Sequence, residues 1–320
     1  MSQQHVQELM MRFLSSLVRP NVQVRAFALA PMAALFLSLG LGFAAPSALA
    51  QEAASLTEAK RIVSVGGAVT EVVYALGAQD RLAARDSTSS YPPEALTLPD
   101  TGYMRALSPE GVLAVSPDGL LIIEGSGPVQ ALDVLKKTGV PLVMVPDRYT
   151  AEGVAEKVRV VGKALGLESK AEELAVKLEA DLKAAADAAA QRQVKPRVLF
   201  ILSMQEGRVM ASGEGSAASA VINLAGGINA ASGFNGYKPL SDEAITAARP
   251  DIILMMDRGG NHDATLEQLR GNAALALTPA VQAGRIVRMD GLYMIGFGPR
   301  TADAVRELSA AFDKAAAASQ

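Results

Sequence analysis

The sequence predicts an α/β protein of two Rossmann-like lobes, each built on a mostly parallel sheet and joined to the other by a long rigid helix. Three observations carry this. Two segments of the chain can be laid over each other, GYMRALSPEGVLAVSPDGLLIIEGSG (102–127) and GYKPLSDEAITAARPDIILMMDRGG (236–260). Strand and helix patterns alternate on both sides of each segment, which calls for parallel pairing. Between the two halves lies a proline-free run rich in Ala, Glu, Lys and Leu.

The chain opens with a leader. Arg19 and Arg25 flank an apolar stretch that ends in small residues, and Ala48-Leu49-Ala50 has the form of an A-x-A cleavage site. Residues 1–50 are therefore expected to be a signal peptide, with a mature chain from about Gln51. Removing Arg12, Arg19, Arg25 and Glu8 with it leaves 27 basic and 32 acidic residues, a net charge of −5. No basic patch points to nucleic acid. There is no cysteine, hence no disulfide, no thiolate metal site and no lipid-bearing cysteine at the cleavage point. An exported protein of a Gram-negative periplasm fits these features.

The first lobe is expected over 51–167. RIVSVGGAVTEVVYALG, from Arg61, reads as strand, glycine turn and helix, and VPLVMVPD supplies a late strand. In the first repeat segment Ser108 is placed to cap a helix whose first turn holds Glu110, and Pro117-Asp118 ends that helix before the strand LLIIE. Residues 151–193 are helical, divided at Gly166. The second piece, from about Ser169, puts Ala171, Leu174, Leu178 and Leu182 on one face. A helix of about 20 residues is a strut about 30 Å long, so the linking element (168–193) should let the cleft between the lobes move little.

The second lobe is expected over 194–320. RVLFILSMQEGRVMASGEGSAASAVINLAGG, from Arg197, reads as strand, loop and helix. The second repeat segment matches the first: Ser241 and Glu243 stand where Ser108 and Glu110 stand, and Pro250-Asp251 follows Glu243 by the same seven residues that separate Pro117-Asp118 from Glu110. GRIVRMDG supplies the late strand.

Enzyme motifs are scarce. No H-E-x-x-H, G-x-S-x-G or P-loop occurs, and His262 is the one histidine outside the leader, too few for a zinc site. The polar signals left are Tyr103 with Arg105, and Tyr237, Arg258 and Tyr293, on segments near strand or helix ends, where α/β proteins build their sites. A phenol is a poor anionic ligand at neutral pH, but a nearby cation favours tyrosinate. Tyrosinate is a hard oxygen ligand suited to ferric iron, and tyrosine serves as a haem axial ligand.

At this point the chain resembles the periplasmic haem-binding proteins of bacterial haem ABC importers, the HmuT type. The resemblance runs from Arg61 to about Leu308. It is carried by RIVSVGGAVTEVVYALGA, DSTSSYPPEALTLPDTGYMRALSPEGVLAVSPD, VMASGEGSAASAVINLAGG and GYKPLSDEAITAARPDIILMM. It implies the class III fold of periplasmic binding proteins, with ferric haem b as transported ligand, an ABC permease as partner, a monomer and no catalysis. The tyrosine of its GY-x-R segment ligates iron and the arginine supports that oxygen, which falls on Tyr103 and Arg105. Tyr91 is read as a turn residue before Pro92. Some members add a histidine where this chain has Met204, so Met204 is a candidate ligand or a cleft-wall residue. Arg258 and Tyr293 are candidates to hold the propionates or cover the ring. Glu110 and Glu243 fall where related proteins dock the permease. A ferric siderophore or a corrinoid is the rival cargo, and a periplasmic haem-using enzyme is the rival of another class.

Overall fold

The computed structural model describes residues 55–257 and 264–317; the leader and its cleavage site lie outside them, as do Arg258 and His262. The first sheet contains β1 (Ile62–Val65), β2 (Leu82–Arg85), β3 (Gly119–Ile123) and β4 (Leu142–Val145), in the order β2-β1-β3-β4 and parallel throughout. Helices α1 (Gly67–Ala75), α2 (Pro109–Leu113) and α3 (Val129–Lys137) connect its strands. Side chains alternate across the sheet with period two. Ile62, Leu121, Ile123 and Val145 enter one apolar cluster, and Val63, Val65, Leu120 and Ile122 enter another on the opposite face.

Two helices follow. α4 (Ala151–Leu165) is capped by Thr150, whose hydroxyl accepts from the Gly153 amide, and ends on Gly166 at φ 71°, a left-handed position that glycine takes without strain. α5 (Glu168–Ala190) has 23 residues, about 35 Å of helix. It buries Ala171, Leu178 and Leu182 on one face, with Leu174 half-buried beside them.

The second sheet contains β5 (Arg197–Gln205), β6 (Arg208–Ser212), β7 (Ile228–Asn229), β8 (Tyr237–Leu240), β9 (Ile252–Asp257) and β10 (Ile286–Asp290). Its order is β10-β9-β5-β6-β8, with β7 also on β5. β5 pairs in parallel with β9 and β7, and β9 with β10, whereas β6 is antiparallel to both β5 and β8. The expected loop after β5 is thus a hairpin. Its two turn residues, Glu206 and Gly207, both have positive φ (50° and 76°), as the tightest hairpin turns require. Helices α6 (Ala217–Leu224), α7 (Asp242–Ala248), α8 (Leu266–Gly271), α9 (Ala273–Ala276), α10 (Pro279–Gln282), α11 (Gly291–Ile295) and α12 (Thr301–Ala317) complete the described chain.

The repeat seen in the sequence is a repeat in space. Ser108 accepts from the Gly111 amide and Ser241 from the Ala244 amide, each capping its helix. The aspartates of the two Pro-Asp pairs do matching work. Asp118 accepts from the Arg61 amide at 2.8 Å while its own amide donates to the Arg61 carbonyl; Asp251 makes the same reciprocal pair with Arg197. Each pair fastens the first strand of its lobe to the strand that follows the repeat helix.

The largest apolar cluster does not stop at a lobe boundary. It runs from Val69 and Val72 on α1 through Val158 and Val161 on α4 and Leu182 on α5 to Phe200, Leu254, Leu308 and Phe312. The lobes are therefore fused along one side through α4, α5 and α12, and a swing between them would have to open a close-packed core.

Candidate functional site

Tyr103 sits in the loop between β2 and α2, just before a 3₁₀ turn at Met104–Ala106. This loop is pinned on both sides. Ser87 donates to the Gly102 carbonyl (2.9 Å), Gly102 donates to Asp100 (2.8 Å), and Asp100 pairs with Arg85 at 2.7 Å. Further on, Gly127 donates to the Met104 carbonyl and Leu107 to the Gly127 carbonyl. Beneath it Asp86 is wholly buried and accepts from the Gly66 amide and the Thr88 and Ser89 hydroxyls; Ser64 and Thr70 extend the same network. The D-x-T segment thus earns its residues as a buried carboxylate with every partner in place. On this fixed base Tyr103 keeps 49% of its surface, and Arg105 is exposed two residues on.

The second lobe and the loop after β4 bring two more phenols to this group. Tyr149 is half-buried, and burial, with the nearby Asp147 carboxylate, pushes its phenol up to about 12; the Arg105 guanidinium opposes that rise. Tyr237 on β8 is raised mainly by burial, against an amide hydrogen bond from Ala218 at the start of α6 and against the charge of Arg105; Tyr103 adds to the rise. The charge of Arg105 thus reaches Tyr149 in its own lobe and Tyr237 in the other. Tyr237 also lies edge-on to Phe200, with ring centroids 6.4 Å apart.

Tyr293 belongs to a second group. It lines an open pocket of about 230 Å³ with Ser90, Tyr91, Asp290 and Arg300. Arg300 lies over the Tyr91 ring at 3.5 Å and over the Tyr293 ring at 5.0 Å. Tyr91 is thus one wall of a ring–guanidinium stack as well as a residue before proline. Met204, on β5, is half-buried against the apolar cluster of the second lobe that holds Leu199 and Ile201. Arg258 lies outside the described residues.

Glu110 and Glu243 are both exposed, and their carboxyls are held below the usual range by local hydrogen bonds. Ser108 and its own amide act on Glu110, and its own amide and Ser241 on Glu243. The two carboxylates have the same local setting in the two halves of the repeat.

Sequence reasoning did not single out Tyr149, Arg300, Glu71 or Lys157. Two of these left a trace. Lys157 falls in the apolar stripe of Val154, Val158 and Val161, and Glu71 sits in the apolar run of α1, each a charge where the helix pattern demands an apolar residue. Among the described residues no group of three or more His, Cys, Asp or Glu side chains could hold a metal ion, and no helix is long and apolar enough to cross a membrane.

Comparison with known proteins gives this two-lobed α/β chain a class. The chain belongs to the periplasmic binding protein family, whose sequence profile matches residues 62–293. It is similar to the periplasmic heme-binding protein RhuT from Roseiflexus sp. RS-1 in apo form, at 38% identity and a TM-score of 0.77, over 81% of this chain and 99% of that one. It is also similar to the periplasmic heme-binding protein BhuT in complex with two hemes (37% identity, TM-score 0.75, 80% and 98% covered). A vitamin B12-binding protein of Vibrio parahaemolyticus is 24% identical over 255 residues, 79% of this chain and 90% of that protein. The chain is a substrate-binding protein of an ABC transporter, not an enzyme, and works with a permease from an exported, periplasmic or membrane-tethered position.

Proposed function

We propose that the chain binds ferric haem b in the cleft between its lobes and delivers it, as a periplasmic monomer released from its leader at about Gln51, to the ABC permease of a haem importer. The observation that carries this reading is Tyr103: a half-exposed phenol on a rigidly pinned loop, with an exposed guanidinium two residues away whose charge also reaches Tyr237 on the other lobe. A phenolate oxygen is a hard donor matched to ferric iron. Arg105 supplies positive charge beside it and Tyr237 closes the ring from the second lobe. Glu110 and Glu243, one on each lobe, meet the permease. The periplasmic haem-binding relatives at 36–38% identity favour the same cargo over a corrinoid.

The test is titration of the protein with ferric haem and, separately, with cyanocobalamin, followed by visible spectroscopy. Wild type should saturate with haem and show a tyrosinate-to-iron charge-transfer band. Tyr103→Ala should lose that band and most of the affinity, while Tyr91→Phe, which keeps the ring that Arg300 covers, should retain both. A Tyr103→Ala titration indistinguishable from wild type would overturn the ligand assignment, and saturation by cyanocobalamin alone would overturn the cargo.

A further inference from the structure

One stretch of the second lobe, Leu292–Arg300, is locked onto the first lobe by contacts that the ligand reading does not use. Arg300 reaches Glu71 on α1 with two parallel hydrogen bonds, Nε to Oε2 at 3.0 Å and Nη2 to Oε1 at 2.6 Å. The Glu71 side chain is only 4% exposed. Burial raises its carboxyl even though Arg300 pulls the other way. Three residues before Arg300, the Phe297 carbonyl accepts from Lys157 Nζ at 3.0 Å, and the Phe297 ring lies 5.1 Å from Tyr149. Glycines mark the close approach of the two segments. A Cβ on Gly67 would stand 2.4 Å from a Leu292 methyl, and one on Gly298 would stand 3.3 Å from Glu71 Oε2.

Arg300 is also tied to the open pocket. Its guanidinium carbon is 3.5 Å from the centre of the Tyr91 ring, which comes from the first lobe, and 5.0 Å from that of Tyr293, which comes from the second. Two of its N–H groups are committed to Glu71 and its face to Tyr91. Asp290 adds a further negative charge to the pocket wall. A cation engaged in this way is already neutralised, so it is poorly suited to draw an anionic ligand group. Its geometry suits fastening: one planar group holds a carboxylate by its edge and aromatic rings by its face, a combination that a lysine cannot reproduce.

We propose that Arg300 is the positioning residue of the ligand cleft, a clamp that joins α1 of the first lobe to Leu292–Arg300 of the second and sets the aperture through which a flat metal macrocycle leaves. The macrocycle rests on the haem reading above; the clamp itself does not. Opening the cleft on this side means separating Arg300 from Glu71 and lifting its guanidinium off the Tyr91 ring, and release runs through that separation.

The test uses the absence of cysteine from the chain. Val129 and Leu277, each 66% exposed and one on each lobe, are replaced by cysteine and spin-labelled, and the distance distribution is measured without ligand. Transfer of ferric haem to apomyoglobin is timed in parallel. Arg300→Gln should broaden the distribution and speed transfer about tenfold, a difference of about 1.4 kcal/mol, while the Tyr103 charge-transfer band stays in place. Arg300→Lys, which keeps the charge but not the fork, should fall between. Glu71→Gln reads the same contact from the other side and serves if Arg300→Gln does not fold. An unchanged distance distribution in Arg300→Gln and Glu71→Gln overturns the clamp. A broadened distribution with an unchanged transfer rate overturns its control of release. Failure of the wild type to take up haem would count against the cargo and leave the distance measurement as the test of the clamp.

Discussion

Replacing Lys157 with methionine should destabilise the whole protein, because this lysine is a wholly buried cation with two specific partners. Its side chain has no exposed surface, and Nζ donates to Asp147 Oδ1 at 2.9 Å and to the Phe297 carbonyl at 3.0 Å. Methionine fills most of the same volume, so the cavity cost is small and the measured change reports the lost polar contacts. Removing one partner of a buried pair costs about 3–5 kcal/mol, since the other charge stays behind unpaired. Asp147 keeps 18% of its side chain in solvent and recovers part of that loss through water, which places the expected change near the lower end, about 3 kcal/mol. At about 2–4 °C per kcal/mol for a chain of this size class, the melting temperature should fall by roughly 6–12 °C. Asp147→Asn on the Lys157→Met background removes the stranded charge and should restore at least about 1 kcal/mol. The pH dependence supplies a second readout. Burial, outweighing Asp147 and Glu71, holds the Lys157 amine below its ordinary 10.5. Between the folded value and 10.5 the unfolded chain binds the extra proton, so this group makes stability rise with pH across that window, and the rise should vanish in Lys157→Met. Urea unfolding that shows a loss under about 1 kcal/mol, with no recovery in the double variant, would refute the assignment of Lys157 as a structural cation.

Two further outcomes bear on transport. Reversing both exposed carboxylates, Glu110→Lys with Glu243→Lys, should leave haem binding and the melting temperature close to wild type and stop delivery to the permease in reconstituted vesicles; wild-type transport by the double variant would leave these residues only their capping role. Arg105→Ala should retain haem but lose it several-fold faster to apomyoglobin, and an unchanged transfer rate would remove Arg105 from the site.

What the sequence made legible was local. A serine three residues before the amide it caps, a glutamate in the same first turn and a Pro-Asp before an apolar run are all short-range signals. They recur at Ser108 and Ser241 with enough regularity to expose the duplication and the two-lobed α/β fold. The break at Gly166 is local for the same reason. The β5–β6 hairpin was hidden because its turn is Glu206-Gly207: the common hairpin signals place asparagine or aspartate before the glycine, and glutamate at positive φ leaves no such mark. The reciprocal pairs of Asp118 with Arg61 and Asp251 with Arg197 were hidden by distance along the chain, although the residue types that make them stand in the quoted segments.

The site divides along the same line. Tyr103 and Arg105 are two residues apart, so a motif can name them, and Asp100, which accepts from the Gly102 amide, stands in the same segment. Which residues of the second lobe face them is a property of the fold. Arg300 and Glu71 are 229 positions apart and meet only because α1 and Leu292–Arg300 pack against each other in the fold. Tyr293 was named for the haem ring, and the structure places it beside Arg300 and Tyr91, while Tyr237, marked in the sequence chiefly by its place in the repeat, is the phenol of that lobe that the charge of Arg105 reaches. The duplication explains this exchange. Gly-Tyr opens each repeat segment, with Tyr103 in a loop and Tyr237 on β8, so the repeat places one phenol in each lobe. Only the first keeps an arginine two residues on. The second has Pro239 there and sets its phenol against the α6 amide instead, so one lobe presents a phenol beside an exposed cation and the other presents a phenol already engaged. That asymmetry is the reason the haem proposal puts the iron on Tyr103 rather than on Tyr237.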